Sequence, residues 1–442
     1  MDAKRQVYLG AIAAGVAAAG IAMMSPLSDL GAAPPKAGPT RAPTFQVDPF
    51  YPRPLPDNWV TGEIGGTCID SQDHLFVVTR GFQNGGLVSP EGVGGADTRT
   101  GTLGGPFKSK ASPPVIEFDT QGNVVRSWGD PSLMPAGSKS PRGADVSNQN
   151  AVMPNGTHGC FVDYEDNVWI GGNGDGVVQK WSHDGSALLL TIGTKFVCDN
   201  PASATAACTG DSAFEGSSQT LLHRPADIAV DPNRDPKTGE RGSVYVADGY
   251  GNHRVVVFDR RGKFLRQMGG VGTGPGQFAP GGGGHPHCVV IGKNGLVYAC
   301  DRANDRVNVF QRDGTFVRAI PVIPGTNAIG TAGSAWDVDF SADADQTFMY
   351  ESDGGNEIIW IFNHRAALLG SPNAILGGFG RPGHMAGEFT FLHMMAVDSK
   401  GNLYVGETIG GRRVQKFLNC SRGEGRDDDD GPSGCQGKNS DR

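Results

Sequence analysis

The chain of 442 residues carries a formal net charge of -8, with its basic residues scattered, and so offers no basic footprint for nucleic acid as a partner. Its 68 glycines and 29 prolines supply turns, and a hydrophobic content of 38% is enough for one large all-β domain. Regular β-branched runs over residues 58–418 exclude disorder there, and helical periodicity is nearly absent.

In chain order, Lys4 and Arg5 precede an apolar Ala/Gly-rich stretch from Val7 to Met24, the pattern of a basic n-region and an h-region. Residues 1–33 therefore read as a signal peptide or an N-terminal membrane anchor, and the protein as secreted or periplasmic, with a membrane tether left open. Residues 34–57 are Pro-rich and read as an extended spacer.

From there the same strand–turn–strand unit recurs. It begins with Thr67-Cys68-Ile69-Asp70 before Leu75-Phe76-Val77-Val78, and next with His158-Gly159-Cys160-Phe161 before Val168-Trp169-Ile170. Pro225-Ala226-Asp227-Ile228, Pro286-His287-Cys288-Val289, Ser334-Ala335-Trp336-Asp337 and His393-Met394-Met395-Ala396 open four more. A third and a fourth strand follow in several units, as in Arg254-Val255-Val256-Val257 and Phe264-Leu265-Arg266-Gln267. Units of about four strands have the size of propeller blades, so residues 58–418 are expected to form an all-β, six-bladed propeller. Residues 419–442 form a polar acidic tail, whose aspartate run at 427–430 reads as a solvated end rather than a calcium site.

Export permits disulfides. Cys198 and Cys208 bracket an insertion of small residues and are expected to pair, and Cys420 and Cys435 to tie down the tail. Cys68, Cys160 and Cys288 share one place on the innermost strand and are expected to be small buried packing residues. A thiolate ligand at Cys160 or Cys288 is disfavoured, because strand alternation turns each away from its neighbouring histidine.

Three histidines, His158, His287 and His393, stand just ahead of an apolar strand in different units. In a closed ring, equivalent inner positions converge on the axis, and three imidazoles meeting there suit a divalent metal such as zinc. Each alone also reads as a packing or turn residue; equivalence across units favours the metal. His223 lies further upstream of its strand and reads as structural, His285 as a spare ligand, and His74, His183, His253, His364 and His384 as solvated turn residues.

The run Asp248-Gly249-Tyr250-Gly251-Asn252-His253-Arg254, followed by Pro275-Gly276-Gln277-Phe278, Pro286-His287 and Asp301-Arg302-Ala303-Asn304-Asp305-Arg306, resembles NHL-repeat propellers. Within them it resembles the peptidyl-α-hydroxyglycine α-amidating lyase, over nearly all of the predicted propeller. The resemblance implies Zn2+ on His158, His287 and His393, a catalytic tyrosine at Tyr250 and an active-site arginine at Arg80. It implies cleavage of a peptidyl- or N-acyl-α-hydroxyglycine to an amide and glyoxylate. The small-molecule or peptide substrate would be hydroxylated by a separate enzyme, and the lyase itself is read as a monomer. Two departures stand out: Met394 occupies the place of the family's Ca2+-binding aspartate, which leaves structural calcium open, and Gly251 replaces a family disulfide cysteine.

The reaction needs a base for the substrate hydroxyl and charge stabilisation. Tyr250 suits the first as phenolate, while Arg80 would favour that phenolate or grip the substrate carboxylate. Two other readings remain: a non-catalytic propeller binding a protein or glycan, and a metal-dependent hydrolase of small esters or lactones.

Overall fold

Each strand–turn–strand unit first closes as an antiparallel hairpin, and in several of them an aspartate fixes the turn. Asp163 Oδ1 accepts hydrogen bonds from the amides of Glu165 and Asn167, and Asp398 Oδ1 accepts those of Lys400 and Asn402 in the same way. In a computed structural model, which describes residues 41–80, 110–129, 152–199, 208, 216–281, 283–326, 332–423 and 435, these hairpins grow into six four-stranded antiparallel sheets. They are the blades of an all-β propeller. The expected signal peptide or anchor and the aspartate run at 427–430 lie outside the described residues.

The innermost strands of blades one to six are Ile64–Ile69, Thr157–Val162, Asp227–Arg234, Val289–Ile291, Asp337–Phe340 and Leu392–Val397. Second strands such as Leu75–Thr79 and Leu403–Glu407 are buried throughout, because both sheet faces meet neighbouring blades. Outermost strands such as Leu188–Gly193 alternate between buried and partly exposed positions. Large rings fill the seams: Trp128 of blade one meets Trp181 of blade two with centroids 5.3 Å apart.

Blade six corrects the spacer expectation. Phe45–Asp48, inside the Pro-rich stretch, pairs antiparallel with Val414–Asn419 and supplies the outermost strand of the last blade. The ring is thus closed by pairing the two ends of the propeller. Phe45 anchors the strand against Tyr350 and Phe379, with ring centroids 5.6 and 5.1 Å away.

Cysteine pairing also departs in part from expectation. Cys198–Cys208 and Cys420–Cys435 form as expected, but Cys68 bonds Cys160 across blades one and two, and Cys288 bonds Cys300 within blade four. Close approach of adjacent inner strands puts the first pair 5.4 Å apart at Cα; strand pairing puts the second pair 4.9 Å apart. Among the described residues no cysteine is free, so neither Cys160 nor Cys288 offers a thiolate. Four disulfides are the bonding pattern of an extracytoplasmic chain. Among the described residues no helix is long and apolar enough to cross a membrane.

Candidate metal centre

Blades two, four and six each contribute one histidine. His158 and His393 lie on the innermost strands, and His287 immediately precedes one, its amide bonded to the Cys300 carbonyl at 2.8 Å. Taking every second blade of a six-bladed ring places the three near threefold symmetry. Their ring centroids are 4.8, 5.0 and 5.1 Å apart, all are buried, and one ligand atom from each lies within 4.8 Å of the others.

The odd blades orient these rings. His158 Nδ1 donates to the Ala226 carbonyl of blade three at 2.6 Å, and His287 Nδ1 to the Trp336 carbonyl of blade five at 2.7 Å. Ala226 and Trp336 occupy the places in their blades that the histidines occupy in theirs. The third ring follows the rule more loosely: the Ile64 backbone of blade one acts on His393, although its Nδ1 makes no well-formed hydrogen bond. A proton fixed on Nδ1 leaves the Nε2 lone pair for the axis, and the buried Nε2 of His287 has no partner.

Burial, reinforced by positive charge on Arg80 and Arg302 and by the rings themselves, holds all three histidines well below the ordinary imidazole pKa. Three neutral imidazoles converging on one axis, with His287 Nε2 unpartnered and His158 Nε2 facing only the Tyr250 hydroxyl, fit a borderline divalent ion such as zinc. Below the histidines an axial cavity of about 180 Å³ is lined by Thr67, Asp227, Asp337 and Asp339 among others. Its carboxylates clasp adjacent blades: Asp227 Oδ2 accepts from the Val289 amide, Asp337 Oδ2 from Met395, and Asp339 Oδ2 from Val397.

Tyr250 follows the second strand of blade three. Its hydroxyl lies 3.2 Å from His158 Nε2, and its ring centre 5.8 Å from that of His287. Room for this arrangement comes from Gly284, at φ +76°, where an added Cβ would stand 2.9 Å from the Tyr250 ring and 3.0 Å from His287.

Arg80 is at the same rim but already engaged. Its Nε donates to the Thr157 carbonyl at 2.8 Å, and its Nη1 pairs with Glu63 at 3.1 Å. Two guanidiniums face the Tyr250 ring, those of Arg224 and Arg302, each 5.5 Å from its centre; the buried one is Arg302, a residue not singled out from the sequence. Arg302 is 4% exposed and lies 5.5 Å from the Tyr250 ring centre and 4.4 Å from that of Trp336. Among the described residues no carboxylate pairs with it, and burial lowers its pKa. A signal was present: Arg302 directly follows the second strand of its blade, as Arg80 does, and Tyr250 stands one residue further on.

The other histidines sort differently. His223 and His285 are buried outside the triad, with His285 Nδ1 accepting from the Ala303 amide at 3.4 Å. His253 and His364, expected in solvent, are buried; His364 Nε2 accepts from Tyr298 at 2.6 Å. Hairpin geometry, which folds turn residues back onto the neighbouring blade, overrides their place in the sequence.

The repeated blade, the alternating histidines and the tyrosine at the axial mouth set the frame for comparison with known proteins. No family model matches the chain. It is 25% identical to NHL repeat-containing protein 3 of Homo sapiens over 320 residues, covering 69% of this chain and 73% of that one. The peptidyl-glycine alpha-amidating monooxygenase of Mus musculus is 33% identical over 171 residues, 37% of this chain and 14% of that protein. A probable peptidyl-alpha-hydroxyglycine alpha-amidating lyase of Caenorhabditis elegans is 26% identical over 178 residues, 38% of this chain and 42% of that one. The chain is an NHL-type propeller resembling the amidating lyase. A solved streptogramin B lyase aligns over 84% of this chain and 97% of its own, with TM-score 0.44 and 11% identity. The match spans less than half of these two amidating relatives, 14% and 42% of their lengths.

Proposed function

We propose that the propeller is an exported, zinc-dependent lyase that splits N-acyl- or peptidyl-α-hydroxyglycine into an amide and glyoxylate. The observation that carries this reading is the meeting of His158, His287 and His393 with the Tyr250 hydroxyl, 3.2 Å from His158 Nε2, at one buried axial mouth. Zinc held by the three histidines would act as a Lewis acid, lowering the cost of negative charge on a substrate oxygen.

The remaining roles fall to side chains. The substrate is a carbinolamide, R–CO–NH–CH(OH)–COO⁻. Tyr250 as phenolate takes the hydroxyl proton, the carbon–oxygen bond becomes the aldehyde of glyoxylate, the carbon–nitrogen bond breaks, and the proton passes to the departing amide nitrogen. Atoms and charge balance without an oxidant. Arg302, buried without a carboxylate, suits both the phenolate and the substrate carboxylate. Arg80, bonded to Glu63 and to the carbonyl just before His158, suits bracing the histidine strand.

Glyoxylate release from α-hydroxyhippurate by the purified protein, with and without zinc and against Tyr250→Phe, tests the reading. Zinc-dependent release above spontaneous breakdown, lost in the variant, is the expected result. A second reading, a non-catalytic binding platform, draws on the longer match to NHL repeat-containing protein 3. It requires no glyoxylate and no stoichiometric zinc.

A further inference from the structure

We propose that Asp70, His74, Glu117 and His183 form a second divalent-metal site at the seam of blades one and two, at the end of the inner strands opposite the axial histidines. In blades two and six the turn aspartate has a characteristic set of partners. In blade two, Asp163 Oδ2 meets the Trp169 indole at 2.9 Å and the Lys180 ammonium at 2.9 Å. In blade six, Asp398 Oδ2 meets Asn402 and the Tyr404 hydroxyl at 2.7 and 3.2 Å. Six residues beyond each aspartate, the second strand pairs with a lysine of the third: Trp169 with Lys180, and Tyr404 with Lys416.

Blade one differs from these two blades in two ways. Six residues beyond Asp70, Phe76 pairs with Glu117, so a carboxylate replaces the lysine. The Asp70 Oδ2 that elsewhere takes indole, amide, hydroxyl or ammonium donors here meets imidazoles: His183 Nε2 at 3.0 Å and His74 Nδ1 at 3.8 Å. His74 Nδ1 also lies 2.8 Å from Glu117 Oε1. Both carboxylate side chains are buried, at 0% and 1% exposure, while the two imidazoles open to solvent at 22% and 25%. Glu117 Oε2 accepts no hydrogen bond.

Two buried carboxylates and two imidazoles are the donor set of zinc, manganese or ferrous iron. One ligand atom from each of Asp70, Glu117 and His183 lies within 4.8 Å of the others, and His74 Nδ1 adds a donor 2.8 Å from Glu117 and 3.8 Å from Asp70; tetrahedral bonds of about 2.0–2.1 Å call for separations of about 3.3 Å. Arg126 is the one cation on the cluster among the described residues. Its Nη1 stands 3.6 Å from Glu117 Oε2 and 3.2 Å from His183 Nδ1, on a side chain 37% exposed. Since it donates to Nδ1, it holds His183 with the proton on Nε2; metal binding at Nε2 moves that proton to Nδ1 and releases the guanidinium to solvent. An ion here joins blade one to blade two at one end of the seam, as Cys68–Cys160 joins their inner strands.

The test is titration of the metal-stripped protein with Co2+, read by the visible absorption of bound cobalt, and with Zn2+ by calorimetry. Two equivalents bind. His158→Ala removes only the axial one; His183→Gln weakens only the second, by tenfold or more. Glu117→Lys, which restores the lysine of blades two and six and so keeps the hairpin folded, abolishes the second. Arg126→Ala tightens it by removing the competing cation. A single equivalent, lost in His158→Ala and unchanged in Glu117→Lys, overturns the proposal, as does an Arg126→Ala variant with unaltered binding. None of these readouts depends on lyase activity.

Discussion

The Arg302 guanidinium lies 5.5 Å from the ring centre of Tyr250, buried and without a carboxylate, while Arg80 at the same rim is paired with Glu63. The two arginines therefore divide the work. An unpaired buried guanidinium is held for an incoming anion or a phenolate; a paired one holds structure. Arg302→Ala is expected to lower kcat/KM for glyoxylate release by about 10²–10³-fold, the effect of removing one preorganised charge donor. Arg302→Lys should recover only part of it, because an ammonium cannot reproduce the flat guanidinium stack on Trp336 and Tyr250. Equal losses for Arg80→Ala and Arg302→Ala would contradict this division.

Gly284 gives a sharper geometric test. An alanine there adds no charge and removes no hydrogen bond, yet it meets Tyr250 and His287 at about van der Waals overlap, from a backbone at φ +76°. Gly284→Ala is expected to leave the fold intact by circular dichroism and to reduce kcat by about 10–100-fold, the order expected of a displacement near 1 Å. Unchanged kcat would remove Tyr250 from the reacting centre.

Periodicity made the blades legible, since second strands such as Leu75–Thr79 are buried on both faces and so carry nearly uninterrupted apolar runs. The register of His158, His287 and His393 at equivalent strand positions likewise exposed the triad. Three features escaped because each depends on a contact between distant segments. Phe45–Asp48 has no hairpin partner nearby in sequence and pairs with Val414–Asn419 only when the ring closes. Cys68 and Cys160, 92 residues apart, meet only when adjacent blades pack. Arg302 sits in a polar run of Asp301-Arg302-Ala303-Asn304 that reads as turn chemistry, and nothing local shows that its side chain turns inward over Trp336.

Two disulfides sit beside the metal histidines. Cys160 is two residues from His158, and Cys288 adjoins His287, with its partner Cys300 two residues from Arg302. Replacing Cys68 and Cys160 together by alanine opens a loop of 92 residues and is expected to cost about 4 kcal/mol. The urea midpoint should fall accordingly, and zinc retention against a chelator should fall with it. The Cys198–Cys208 pair closes a loop of only 10 residues away from the triad, so its removal should leave zinc retention unchanged. Loss of zinc from that variant as well would mean that the disulfides act on the fold as a whole.

The axial carboxylates predict an inverted pH dependence. Burial raises Asp339 to about 7, against the pull of its hydrogen bonds from the Phe340 and Val397 amides. Between about pH 4 and 7 the folded chain therefore keeps a proton that the unfolded chain has lost, so this group's contribution is full at low pH and disappears as pH rises through 7. Its slope is at most about 1.4 kcal/mol per pH unit. The buried histidines act with the opposite sign, since their lowered pKa favours the fold as pH rises, but they are common to wild type and Asp339→Asn. The difference between the two proteins isolates the carboxylate. Asp339→Asn should match or fall below wild type near pH 5 and gain on it steadily up to pH 7, then run parallel. Denaturation midpoints measured across that range check the sign. Curves parallel throughout would show that Asp339 stays ionised in the channel, with the Val397 amide supplying enough compensation to hold the charge.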